Sequence, residues 1–122
     1  TTYDLSDALL AGNLAQSVKI YQYLLAAGEP DSLILWTLSK EMRLLMQLFE
    51  QPHNALQLGI WKTKVSQYQQ ALRRLNAQQF LTWPNLVLRI DAAIKGMSKE
   101  NSEHLMLQAV ADLCGKSLFQ TH

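Results

Sequence analysis

Residues 30–50, PDSLILWTLSKEMRLLMQLFE, form a strongly apolar helical pattern. At 3.6 residues per turn, the apolar side chains cover one wide arc and leave only a narrow polar strip. A helix this apolar has to be covered on several sides, so the pattern predicts the central helix of an all-α bundle. The arc contains Leu33, Ile34, Leu35, Leu38, Met42, Leu44, Leu45, Met46, Leu48 and Phe49, and the strip contains Ser39, Lys40, Arg43, Gln47 and Glu50.

The length and composition indicate one soluble domain over residues 1–122. The chain has 122 residues and 48% hydrophobic content, which suffices for a core and excludes a disordered chain. No apolar run approaches the ~18–20 residues of a membrane span, and no secretory signal is visible at the start. The single cysteine fits a reducing cytoplasm. Because the sequence starts Thr-Thr without methionine, we expect a fragment of a longer protein.

The pattern predicts about six helices and no sheet. Asparagines are expected to cap the second and fifth helices, and Ser98 or Asn101 to cap the last. Pro84 lies well inside the fifth helix, where proline predicts a kink or a break. The link from Gly28 to Pro30 is expected to make the second and third helices antiparallel neighbours. The predicted helices are 3–11, the segment between Asn13 and Gly28, 30–50, 61–75, 77–95 (capped by Asn76) and the segment after Asn101.

Several apolar sets are expected to face the core. In the connection 51–60 these are Leu56, Leu58 and Ile60. The inner face of the fourth helix is Val65, Tyr68, Leu72 and Leu75. The fifth helix contributes Phe80, Leu81, Trp83, Val87, Leu88, Ile90 and Ile94. The last helix contributes Leu105, Met106, Ala109, Val110 and Leu113, with Leu118 and Phe119 as candidates for its extension.

No motif predicts catalysis, a metal site or a bound cofactor. His53, His104 and His122 are far apart in the sequence, and no phosphate-binding loop or hydrolase elbow is present. Cys114 lies among apolar residues at helical spacing, which is typical of a buried, inert thiol. Carboxylates are expected on a salt-bridged surface rather than in a catalytic pair; those considered are Asp91, Glu100 and Glu103.

One basic stripe remains as a candidate binding site. Lys62, Lys64, Arg73 and Arg74 follow Trp61, and cations beside an aromatic ring can hold a nucleic-acid strand. The alternative is a solvated basic face with Trp61 packed on the core. A net charge of +1 argues against strong independent binding to nucleic acid. The surplus of apolar residues on the third and last helices is either ordinary core or a patch that docks a partner.

Several segments of the chain resemble a known family. Asp7-Ala-Leu-Leu-Ala-Gly12, Gly28-Glu-Pro30 with Leu33-Ile-Leu-Trp-Thr-Leu38, and Glu41-Met-Arg-Leu-Leu45 are similar to the opening of one domain. That domain is the C-terminal domain of the delta subunit of the bacterial DNA polymerase III clamp loader. Trp61 before a basic helix, Ala71-Leu-Arg-Arg-Leu75 and Leu113-Cys114 fit the same family in order and spacing.

The resemblance implies a non-catalytic helical domain that joins the other loader subunits in a five-membered collar. Contact with the sliding clamp would belong to an N-terminal domain outside this sequence. The family's tryptophan that contacts primer-template DNA is matched by Trp61, and the basic residue after it by Lys64; with Lys62 they are the candidate DNA contacts. A family aromatic before the last helix has no match, since the loop reads Met97-Ser98.

The sequence leaves two alternative functions. A small helical enzyme or ligand carrier would require an internal polar pocket. An independent helix-turn-helix DNA-binding domain would bind duplex with strong salt dependence, its log affinity falling by about 0.9 per phosphate neutralised.

Overall fold

The computed structural model describes residues 1–116, which contain six α-helices, one short 3₁₀ turn and no strand. The predicted all-α fold is therefore confirmed, and the helix predicted over 30–50 is found at Asp31–Glu50. The predicted residues Leu118, Phe119 and His122 lie outside the described range. The helices are α1 Thr2–Leu10, α2 Leu14–Ala26, α3 Asp31–Glu50, α4 Val65–Leu72, α5 Ala77–Ile94 and α6 Ser102–Leu113, and the 3₁₀ turn is Lys62–Lys64.

Side-chain caps fix the starts of most helices. The Asn13 and Asn76 side chains accept hydrogen bonds from the N–H groups of Gln16 and Gln79, as predicted. At α6 the cap is Asn101 rather than Ser98, because its Oδ1 accepts from the His104 N–H at 3.0 Å. Such caps satisfy N–H groups that have no partner within the helix, and each is worth about 1 kcal/mol.

Helix α3 is the centre of the bundle. Ile34, Leu38 and Leu45 are completely buried. α1, α4, α5 and α6 all pack against α3, while α5 packs against α6 and α1 against α2. The central helix is thus enclosed on several sides, as its wide apolar arc required.

The expected pairing of α2 with α3 is wrong. α2 packs mainly against α1 and α6, and it has little contact with α3. Gly28, with φ 85°, ends the α2 segment in the left-handed region, so the chain leaves in a new direction. Ser17 in α2 lies 3.4 Å from Cys114 Sγ, which places α2 against the C-terminal end of α6.

The segment 51–75 differs from its predicted form in two ways. Ile60 is buried and Leu58 is partly buried, but Leu56 is 62% exposed. Ala55 takes the expected buried position instead. The predicted helix 61–75 is shorter, because the backbone at Trp61 is extended and the next residues form a 3₁₀ turn before α4 begins. Beyond Leu72 the chain tightens again, with the Leu75 N–H bonding three residues back to Leu72.

Helix α5 runs without interruption from Ala77 to Ile94 with Pro84 inside it. The break expected at Pro84 is therefore wrong, while the alternative kink stays a prediction. Burial of Phe80, Trp83, Leu86 and Ile90 against the core holds the two halves of the helix together. Tertiary packing here outweighs the lost backbone hydrogen bond at proline.

Candidate functional site

Trp61 lies on the surface and not in the core. It precedes the 3₁₀ turn, and 76% of the residue is exposed. Its backbone is extended, with φ −62° and ψ 141°, and it lies between the buried Ile60 and the 3₁₀ turn. The alternative of a core-packed Trp61 is excluded, because most of the residue is open to solvent.

The two lysines beside Trp61 differ in their surroundings. Lys62 is exposed. Lys64 Nζ lies 2.8 Å from Asp7 Oδ1 on α1, and its side chain is 38% exposed. An exposed ion pair of this kind contributes only about 0–1 kcal/mol, so Lys64 can exchange Asp7 for another anion at small cost.

The other two cations of the basic stripe, Arg73 and Arg74, have different surroundings. Arg73 is exposed, whereas the Arg74 guanidinium donates hydrogen bonds to three backbone carbonyls, those of Leu10, Gln70 and Cys114. These carbonyls belong to three helix ends, so Arg74 ties α1, α4 and α6 together. Arg74 is therefore a structural residue, and the stripe of four cations in the sequence is not one surface.

A groove of about 380 Å³ lies beside Trp61, between α1, α3 and the start of α4. We call it the Trp61 groove. Its walls combine aromatic rings with charges of both signs, and one wall is the central helix itself. The residues that line it are Tyr3, Ser6, Asp7, Leu10, Lys40, Glu41, Arg43, Leu44, Leu58, Gly59, Ile60, Trp61, Lys64 and Tyr68.

A buried carboxylate lies at the base of this groove. Glu41 is 1% exposed, and the Tyr68 hydroxyl lies 2.8 and 2.9 Å from its two carboxylate oxygens. Burial raises the pKa of Glu41 above its ordinary value, and the hydrogen bond from Tyr68 and the charge of Lys40 offset part of that rise. The pair connects α3 to α4. The sequence signal for this buried carboxylate is the position of Glu41 on the apolar arc of α3.

A second exposed tryptophan lies next to the groove. Trp36 on α3 is 59% exposed. Lys40 Nζ lies 5.3 Å from the centre of its ring, a cation–π distance, and 4.0 Å from Glu41 Oε1. Lys40 is also a wall residue of the Trp61 groove, so it joins the Trp36 ring to that groove.

A different groove of about 540 Å³ runs between α3 and α5. We call it the α3–α5 groove. Its walls are mostly apolar, and α5 leaves Leu81 and Leu88 80% and 67% exposed, although both were expected in the core. Those two predictions are wrong, since nothing in residues 1–116 covers this side of α5. The lining residues are Ser39, Met42, Arg43, Met46, Gln47, Glu50, Trp83, Pro84, Val87 and Leu88.

Beneath this groove, Trp83 and Asp112 are in an unusual environment. Trp83 Nε1 is the only buried side-chain nitrogen or oxygen of the described chain without a hydrogen-bond partner. Burial raises the pKa of Asp112 to about 6, and the neighbouring indole N–H of Trp83 lowers it part of the way. The indole N–H of Trp83 therefore favours the charged form of Asp112. The two groups nevertheless do not form a hydrogen bond of normal geometry.

The other sequence candidates lie as follows. Cys114 is buried, as predicted, and burial raises the pKa of its thiol. Asp91 pairs with Lys95 at 2.9 Å, and Glu100 pairs with Arg89, which confirms a salt-bridged surface for these two carboxylates. Within residues 1–116, no three histidine, cysteine or acidic side chains converge as metal ligands. Over the same residues, no helix has both the length and the hydrophobicity to cross a membrane.

Comparison with known proteins gives one family. The family model described as DNA polymerase III delta subunit, C-terminal domain, matches residues 1–110. The match therefore includes all lining residues of the Trp61 groove and of the α3–α5 groove. A search of curated proteins found no match.

Proposed function

The chain belongs to the family of the DNA polymerase III delta subunit, C-terminal domain, and from this premise we propose that it is a non-catalytic assembly domain of a clamp loader. It joins the helical domains of the other loader subunits in a collar, and the complete loader places the sliding clamp on DNA during replication. The observation that carries this proposal is the family match over residues 1–110.

The α3–α5 groove is the surface that best fits a neighbouring subunit. It combines a large apolar concavity with the exposed Leu88 at its wall, and α5 also carries the exposed Leu81 seven residues earlier. Full burial of each leucine would contribute about 1.5–3 kcal/mol, which is the kind of gain that holds subunits together. Exposed apolar surface of this kind commonly marks a protein interface.

A secondary contact with primer-template DNA belongs to the Trp61 groove, which also has α3 as a wall. Trp61 offers an exposed ring, Lys62 an exposed cation, and Lys64 a cation held only by a surface ion pair. With a net charge of +1, this chain alone would bind DNA weakly. Within an assembled ring, several subunits bind the same DNA and raise the effective concentration.

Size-exclusion chromatography tests the assembly part of the proposal. The chain is mixed with the C-terminal domains of the other loader subunits at tens of micromolar. We expect it to elute with them in one complex. Separate elution of the chain at this concentration contradicts the assembly role.

Trp61→Ala tests the DNA contact separately. In a clamp loader assembled with this chain, the substitution should weaken primer-template binding about fivefold or more, because a stacked base is lost. The loader should still assemble, since Trp61 contributes little to the core. Tyr23→Ala is a matched control, because Tyr23 is 68% exposed and lies on α2, away from the groove. Unchanged DNA affinity would remove Trp61 from the site.

A further inference from the structure

The walls of the α3–α5 groove come from two helices only. All of its lining residues lie on α3 or α5 and recur every three or four residues, so each helix contributes one continuous face. On α3 this face runs from Ser39 to Glu50, a distance of about 16 Å at the rise of an α-helix. The groove therefore has the length of about three helical turns.

The floor of the groove is apolar and belongs to the core. Met42 is 2% exposed and Trp83 is 1% exposed, while Met46 and Val87 are partly buried. Methionine side chains adapt their shape to the group that packs on them. The seam between two packed helices accepts the side-chain ridge of a third helix, which fits the spacing of the lining residues.

The charged residues of the groove lie along one edge. Both charges, Arg43 and Glu50, are on α3, and the part of the lining that α5 contributes is uncharged. Both residues are exposed, and neither forms an ion pair with another residue of the described range 1–116. A partner therefore meets a cation and an anion about 10 Å apart along α3.

Glu50 is unfavourable for α3 taken alone. It is the last residue of the helix, where the negative end of the helix dipole repels a carboxylate, and the last turn contains no basic residue. A cation supplied by a partner would relieve this repulsion. A partner with a basic residue at this end of the groove therefore gains more than an ordinary surface ion pair gives.

We propose that the α3–α5 groove holds a single amphipathic helix of a neighbouring loader subunit, with an acidic residue bound to Arg43 and a basic residue bound to Glu50. The inference rests on the proposed function and specifies the partner element and its chemistry. The acidic and basic residues of that helix lie about two turns apart, and its apolar ridge fills the space between Met46 and Leu88.

A second copy of this chain fits the groove less well. Its most exposed apolar helix is α5, which carries Leu81 and Leu88. The two charged residues of α5, Arg89 and Asp91, are already in ion pairs within the chain. This helix therefore lacks free charges for Arg43 and Glu50, and we argue for a different subunit.

The first test measures association of this chain with the complete other loader subunits, without DNA, by sedimentation velocity. Arg43→Glu should weaken association about tenfold or more, because it places two acidic residues together. Glu50→Lys should have a similar effect, because it places two basic residues together.

The second test locates the partner helix by charge reversal. In complexes with Arg43→Glu, exposed acidic residues on the helices of the neighbouring subunits are changed one at a time to lysine. In complexes with Glu50→Lys, exposed basic residues are changed to glutamate. One change in each series should restore association to within about threefold of the parent, and the two restoring positions should lie about seven residues apart in one helix.

Two matched controls accompany the reversals. Lys19→Glu on α2 and Glu103→Lys on α6 reverse exposed charges that form no ion pair within residues 1–116 and line neither groove. Both should leave association unchanged. Because all four positions are exposed, thermal unfolding of the variants should match the parent chain within a few degrees.

The outcomes separate this inference from the proposed function. If the parent chain does not associate with the other subunits, the proposed function fails. If it associates and both reversals behave like their controls, this inference fails and the proposed function stands. Restoring positions in two different helices contradict a single docked helix. A dimer of this chain alone that Arg43→Glu dissociates would identify a second copy as the occupant and overturn the inference.

Discussion

Glu41 shows how one residue can shape a surface from beneath it. A carboxylate that is 1% exposed is costly to bury unless it is hydrogen-bonded, and Tyr68 supplies that bond from α4. Lys40, next to Glu41 in the sequence, stays at the surface beside Trp36. Glu41 in the interior and Lys40 at the surface therefore both contribute to the wall of the Trp61 groove.

The pH dependence of stability follows from the raised pKa of Glu41. A carboxyl whose pKa is raised by folding stabilises the native state below its unfolded pKa, and this stabilisation is lost as the pH rises through the folded pKa. Asp112, with its pKa raised to about 6, acts in the same direction. We therefore expect these two groups to lower the free energy of unfolding as the pH rises above their unfolded pKa values of about 4, and the Asp112 contribution to be lost as the pH passes its folded pKa of about 6.

Glu41→Gln should remove the part of this dependence that belongs to Glu41. The side-chain amide oxygen of the variant can still accept the Tyr68 hydrogen bond, while the buried charge is gone. As the pH rises from 4 through the raised pKa of Glu41, we expect the free energy of unfolding of the variant to fall less than that of the parent, by on the order of 1 kcal/mol, measured by urea titration. Glu50→Gln, an exposed change on the same helix, is the control. Parallel pH curves for Glu41→Gln and the parent would contradict this account.

For single residues, the sequence predicted which side chains belong to the candidate site better than it predicted what those side chains contact. Trp61 and Lys64 were identified through the family resemblance, and the structure shows Trp61 exposed and Lys64 paired with Asp7. Arg74 looked like a partner of Arg73, but it binds backbone carbonyls from other helices. Contacts between residues 40 or 64 positions apart in the chain depend on tertiary packing, which local spacing does not determine.

At the level of helices, periodicity determined the existence of the elements but not their partners. The wide arc of α3 correctly predicted a central helix, because a surface that apolar has to be covered. The partner of α2 was predicted wrongly, since a short link fixes proximity at one end only. Likewise, Pro84 breaks a helix in isolation, yet buried residues on both sides of it keep α5 continuous.

Helix α5 provides the test of the proposed docking face. Leu88→Glu places a charge at the rim of the α3–α5 groove, where Leu88 is 67% exposed. We expect the chain to fold normally, because the leucine is not covered, and to lose about tenfold or more of its affinity for the neighbouring subunit. The affinity can be measured by titration in the ultracentrifuge.

Leu56→Glu is the matched control for that variant. Leu56 is 62% exposed and lines neither groove. Equal losses for Leu88→Glu and Leu56→Glu would show that added charge alone impairs assembly. Unchanged affinity for Leu88→Glu would place the interface on another face.

For the molecule as a whole, two different grooves have the central helix as a common wall. The apolar α3–α5 groove is the docking face proposed for a subunit, and the Trp61 groove, with its rings and cations, is the contact proposed for DNA. Arg43 lines both. One rigid helix therefore holds both surfaces at a fixed separation, so a subunit docked on one side would hold the other side in a defined position within the collar.

The mass of the assembled complex directly tests whether this chain is an assembly domain of a clamp loader. Light scattering is recorded on the peak obtained when the chain is mixed with the other loader subunits. We expect a complex that contains one copy of this chain among five collar domains, as the family resemblance implies. A chain that remains at its own mass of 13.9 kDa in that mixture would contradict the proposed assembly role.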